Sequence, residues 1–131
     1  MKKITFDTGI EKFQLPGGVL RFNPADPGVY ARFAESGELL QQLEQDMAAQ
    51  LSAENADVLA IMARVDKTVK ESLGRVFGPG NDMDALLGGV NLLATAADGR
   101  PVIEHFLQAL EPVLLDGTKR CARAQAAAMR Q

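Results

Sequence analysis

The groups able to do chemistry are few and scattered along the chain. The one histidine, His105, follows Glu104, and a carboxylate beside an imidazole can tune it for acid–base work. Spacing places no nucleophile or second titratable group beside this pair, so a surface or hydrogen-bonded histidine is the favoured reading. The one cysteine, Cys121, stands among Lys119, Arg120 and Arg123, cations of the kind that lower a thiol pKa. Without a histidine at recognisable spacing it reads as an adventitious thiol. Asp82-Met83-Asp84 offers two carboxylates, but a calcium loop needs Gly at its sixth position and Glu at its twelfth, where Leu87 and Leu93 stand. The pair suits the first turn of a helix instead. Gly78-Pro79-Gly80 follows a helical pattern rather than a strand, and Pro79 lacks a donor N–H, so it reads as a helix stop and not as a phosphate cradle. One cysteine and one histidine exclude an intrachain disulfide and the usual zinc spacings. The chain therefore reads as non-enzymatic, with no catalytic residue, no cofactor and no metal. A small enzyme centred on Glu104 and His105 ranks last among the alternatives.

The elements around these residues follow from periodicity and punctuation. At 131 residues, 47% hydrophobic and 24% charged, the chain is one domain able to bury about two-thirds of its unfolded surface. It has no apolar run long enough to span a bilayer and no signal-peptide core after Met1-Lys2-Lys3, so the expectation is a soluble, intracellular protein. Phe13 and Leu15, then Leu20 and Phe22, alternate on either side of Pro16-Gly17-Gly18, which predicts a hairpin of strands 11–15 and 19–22. Ile4–Phe6 is a candidate third strand. A lone hairpin is marginal in water, so it must lean on the helices or on another chain.

In Asn23-Pro24-Ala25-Asp26-Pro27 each polar cap residue precedes a proline, which sets a helix start at Asp26 or Pro27. That helix carries Val29, Phe33, Leu40, Leu43, Met47 and Leu51 on its core face, with a kink or break expected at Gly37. A second helix, 53–77, shows the cleanest stripe: Val58, Met62, Val65, Val69, Leu73 and Val76. Gly78-Pro79-Gly80 stops it. A third runs from Asn81 or Asp82 to Ala94, weakened at Gly88-Gly89. A fourth starts at Pro101 and is expected to kink or end at Pro112, and Asp116-Gly117 stops the pattern before a basic, Ala-rich surface helix that frays. The fold class is thus α+β, mainly α: a short N-terminal β-hairpin (1–25), then a bundle of about four to five helices (26–116) and the C-terminal segment (117–131).

Net charge is −3 and the pI near 5.1, which argues against a general nucleic-acid binder. The charge is uneven. Lys119, Arg120, Arg123 and Arg130 are the charged residues after Asp116, and the favoured reading is a solvated helix end whose cations suit its dipole.

The order of a β element, an Asn-Pro-x-Asp-Pro turn and amphipathic helices resembles small tail-region proteins of tailed phages and prophages of Gram-positive bacteria. Thr5-Phe6-Asp7-Thr8-Gly9-Ile10 and Arg21-Phe22-Asn23-Pro24-Ala25-Asp26-Pro27 carry the likeness, which covers about the first 35 residues. The Ala-rich helices depart from the more charged ones such proteins would have. The resemblance implies a tail assembly chaperone in the cytoplasm of a bacterial host cell, with a tape-measure or other tail protein as its partner. Physically, such a chaperone needs apolar grooves between helices and a means of self-association. The candidate interaction surface is Phe33, Leu40, Val58, Met62, Val65 and Val69. A homo-oligomer is compatible with the same seams, since they can pair within one chain or between copies. The alternative is a helical protein–protein adaptor or regulator unrelated to phage.

Overall fold

The computed structural model describes residues 1–130. The two-residue turn Pro16-Gly17 joins β1 (Glu11–Leu15) to β2 (Gly18–Phe22) in an antiparallel pair with Phe13 opposite Leu20 and Lys12 opposite Arg21. Leu20 and Phe22 are buried, while the even-numbered Lys12 and Gln14 face outward, as a period of two requires. Four helices follow: α1 (Pro27–Leu51), α2 (Val58–Phe77), α3 (Met83–Leu86) and α4 (Val102–Met129). The fold is mainly α with a small β-hairpin, as the patterning predicts.

The hairpin leans on the helices of its own chain. The Gly17 N–H donates to the Leu86 carbonyl at 2.9 Å, and the outer edge of β2 is closed by one side chain. Asn81 accepts from the Arg21 N–H at 3.0 Å and donates to the Arg21 carbonyl at 2.9 Å, so its amide stands in for a third strand at that residue. Phe22 continues the contact inward, stacked against Phe13 at 5.0 Å and tilted against Phe77 at 4.8 Å. Asn81→Ala is expected to cost about 1–2 kcal/mol, since it orphans both edge groups of Arg21. Asn81→Asp should keep the bond from Arg21 N–H and lose the other. Denaturant titration of the two variants checks the order Ala below Asp below wild type.

Ile4–Phe6 forms no strand. Residues 1–10 lie outside regular structure, with Ile4 90% and Phe6 76% exposed. The two motifs quoted above nevertheless meet: Asn23 Nδ2 donates to the Thr8 carbonyl at 3.1 Å and packs where a side chain at Gly9 would sit. Asn23 Oδ1 accepts from Ala25 N–H and Asp26 Oδ1 from Gly28 N–H, each at 2.8 Å, so both cap residues do the work expected of them.

α1 and α2 form an antiparallel pair, fixed by Arg32 Nε to the Val76 carbonyl at 3.2 Å, Ser36 to Ser72 at 2.7 Å, and Arg64 to Gln50 at 2.6 Å. Helix α1 runs unbroken through Gly37, because one exposed glycine costs only about 1 kcal/mol and the packing on α2 offsets it. Helix α2 starts at Val58 rather than Ala53. Asn55 adopts φ +63°, which interrupts the helix, and the Asp57 side chain then caps Ala60 N–H at 3.1 Å.

The expected third helix shrinks to one turn. Gly88 and Gly89 take φ +76° and +71°, a left-handed pair that ends α3 and sends Leu92 into the core. Helix α4 instead absorbs two expected stops. Pro112 and Gln108 are both exposed, so the missing N–H and the carbonyl it would have met face water. Gly117 is buried in the helix because the backbone of Pro24 lies against it. The last basic residues therefore belong to α4 and not to a separate helix.

Candidate functional site

An apolar groove of about 220 Å³ lies between α1, α2, residues 92–93 and the start of α4. Steps of three and four residues put Leu40, Leu43 and Met47 on one side of α1, half-buried against the core. Helix α2 supplies Val65 and Val69 from its buried stripe. The third wall is held without a capping side chain. The Val102 and Ile103 N–H groups at the start of α4 donate to the Ala94 and Leu92 carbonyls, both at 2.9 Å, which satisfies two orphan donors and locks Ile103 and Leu107 opposite Met47 across the groove.

A buried cation stiffens this region from behind. Lys70 on α2 is 7% exposed, and its Nζ donates to Asp66 at 2.9 Å, to Asp84 at 2.5 Å and to the Val90 carbonyl at 2.8 Å. Asp66 in turn accepts from the Leu92 N–H at 2.8 Å. Burial depresses the Lys70 pKa, but the hydrogen bonds and charges of Asp84 and Asp66 outweigh it and leave the pKa above its ordinary 10.5. Lys70 is therefore a charged strut at neutral pH, without the free amine that a nucleophile or base needs. The carboxylates on the groove lining are Glu44, Asp66 and Glu104, and no lining residue is basic.

Of the six residues put forward from sequence, the structure brings Leu40, Val65 and Val69 together in the groove. Phe33 packs half-buried against the core nearby. Met62 is half-buried outside the groove, and Val58 is 44% exposed in the first turn of α2, off the core. Ile61 takes the buried place that the stripe assigned to its neighbours. Leu93, Ile103 and Leu107 were missed because their position depends on the left-handed turn at Gly88-Gly89, which the apolar spacing masks. The apolar spacing assigns Leu43 and Met47 to the core, and in the structure they serve core and groove together.

His105 lies on the surface, its Nε2 paired with Asp98 at 2.9 Å. That hydrogen bond, helped by the Arg100 N–H, holds the Asp98 carboxyl below its ordinary pKa. Glu104 turns to Arg100 at 2.9 Å and not to the histidine, so the two neighbours do not act as a pair. Cys121 is half-buried beside Pro27 and Tyr30. Among the described residues no group of three or more His, Cys, Asp or Glu is arranged to hold a metal ion, and no helix is long and apolar enough to cross a membrane. No protein-family model, curated protein or solved structure matches this chain.

Proposed function

We propose that the protein acts through its groove, binding an amphipathic helix of a protein partner, and that it is a non-enzymatic assembly factor of the phage tail-chaperone kind. The observation that carries this reading is the chemistry of the groove itself: half-buried aliphatic and Met side chains along its length and only carboxylates among its charged lining residues. A helix laid in such a groove buries apolar residues at i, i+3, i+4 and i+7, and Lys or Arg beside that stripe meets Glu44, the lining carboxylate outside the ion pairs of Asp66 with Lys70 and Glu104 with Arg100. Met47 adapts its shape to more than one client side chain. At about 220 Å³ the groove is smaller than the roughly 300–1,000 Å³ of sites that enclose small molecules, which favours side chains of a partner over a substrate. The phage-tail part of the reading rests on the sequence resemblance of the Thr5–Ile10 and Arg21–Pro27 motifs.

Calorimetry with a synthetic Leu–Lys amphipathic helix of about 20 residues tests the groove. Binding in the micromolar range is expected, with a Leu–Glu helix of the same pattern at least tenfold weaker. Met47→Gln/Leu107→Gln should weaken the Leu–Lys helix about tenfold or more by removing apolar contact, with helical content unchanged by circular dichroism. Equal binding of both peptides, or of wild type and variant, would contradict the reading. Tape-measure and tail-tube genes beside this one are expected. A neighbourhood without phage structural genes would move the assignment to a general helical adaptor.

A further inference from the structure

The end of α4 is held to its own chain at Arg120, paired with Glu11 at 3.1 Å, and at Cys121 beside Pro27 and Tyr30, and the turns beyond run out into solvent. From Lys119 to Arg130 every residue but Cys121 is exposed, Met129 to 83%. These turns continue the 28-residue α4 without packing of their own, and helix ends without packing fray, so a docked state would stabilise them. Lys119, Arg123 and Arg130 fall at i, i+4 and i+11, one stripe of the helix. A stripe of opposite sign and equal length lies on α1: Glu35, Glu38 and Asp46, at i, i+3 and i+11, all exposed. From Phe33 to Ala63 the chain has six acidic residues and no basic one. None of these six stripe residues is in an ion pair among the described residues.

We propose that the basic end of α4 packs on the acidic outer face of α1 in a second copy of this chain, and reciprocally, giving a two-fold dimer. Charge complementarity selects this occupant. The two stripes have the same eleven-residue span, about 16 Å on an α-helix, so Lys119, Arg123 and Arg130 of one copy fall opposite Glu35, Glu38 and Asp46 of the other when the two helices run parallel. The contact uses the α1 face turned away from Leu40, Leu43 and Met47, so the dimer leaves both grooves open. Each exposed pair contributes little and is screened by salt, which makes the dimer weak and salt-sensitive.

Sedimentation equilibrium of the full chain, in about 20 mM and about 500 mM salt, tests this. Wild type is expected to dimerise at tens of micromolar in low salt and to weaken at least tenfold in high salt. Lys119→Glu/Arg123→Glu/Arg130→Glu and Glu38→Lys/Asp46→Lys should each be monomeric, and an equimolar mixture of the two should recover a heterodimer. The mixture guards against misfolding, since a misfolded variant would not be rescued. A wild type that stays monomeric in low salt, variants that still dimerise, or a mixture that fails to associate overturns the proposal. So does a monomer whose basic stripe binds a single-stranded RNA probe instead. Peptide binding in the groove by these variants is expected to persist, which separates this proposal from the groove reading.

Discussion

Gly117→Ala is expected to destabilise the protein by about 3 kcal/mol, although helix propensity alone predicts a gain of about 1 kcal/mol for the same change. Gly117 lies in the interior of α4, and a Cβ there would run into the backbone carbonyl of Pro24. Backbone cannot rotate aside as a side chain can. Either α4 moves off the Pro24–Asp26 turn or the turn distorts, and both open the contact between α4 and the start of α1. Gly37→Ala is the matched control. It too is interior to a helix, α1, but an added methyl there meets nothing within 4 Å, so it should stabilise by about 1 kcal/mol. Urea unfolding of both variants decides the matter by sign: opposite signs are expected, and two gains would mean that α4 does not sit on Pro24.

Lys70→Met is expected to cost about 2–4 kcal/mol. The change keeps the stem and removes three hydrogen bonds, leaving the Val90 carbonyl and one side of Asp66 without a partner in a buried setting. Asp84 is largely exposed and recovers its hydration, which keeps the figure below that of a fully buried pair. Lys70→Met/Asp66→Asn should cost less than the sum of the single changes, because the amide oxygen still accepts from Leu92 N–H while the unpaired charge is gone. The pH dependence follows from the raised pKa of Lys70. A group whose folded value lies above its unfolded one contributes fully below the unfolded value, here near 10.5, and loses that contribution as pH rises through the folded one. Stability of wild type should therefore fall above about pH 10.5 more steeply than that of Lys70→Met. Parallel profiles would show that the strut does not act through charge.

Much of the fold was legible because it rests on local rules. The Pro16-Gly17 turn, the caps at Asn23 and Asp26 and the apolar steps along α1 each name their structure within a few residues. What sequence concealed was set by tertiary contact. Gly117 reads as a stop until Pro24 is seen against it, and Pro112 reads as a break until its face is seen to be solvated. The run from Met83 to Ala94 has helical spacing, yet two glycines in the left-handed region fold it back so that Leu92 N–H reaches Asp66. The groove was half legible for the same reason. Its α1 and α2 walls follow from periodicity, while the wall formed by Leu93, Ile103 and Leu107 depends on that reversal. Ile4–Phe6 looked like a strand because it alternates, but β2, the nearer edge of the hairpin to the helices, is already closed by Asn81.

A partner helix seated in the apolar, carboxylate-lined groove would perturb the methyl groups along its walls. Methyl-selective NMR of the full chain, titrated with the Leu–Lys helix, tests this most directly. Progressive shifts are expected of the Leu43, Met47, Leu93, Ile103 and Leu107 methyls, with small changes at Leu20 and Leu114 in the core and loss of the response in Met47→Gln/Leu107→Gln. Shifts gathered instead on Ile4, Ile10 and the β-hairpin, with the groove methyls unmoved, would contradict binding in the groove.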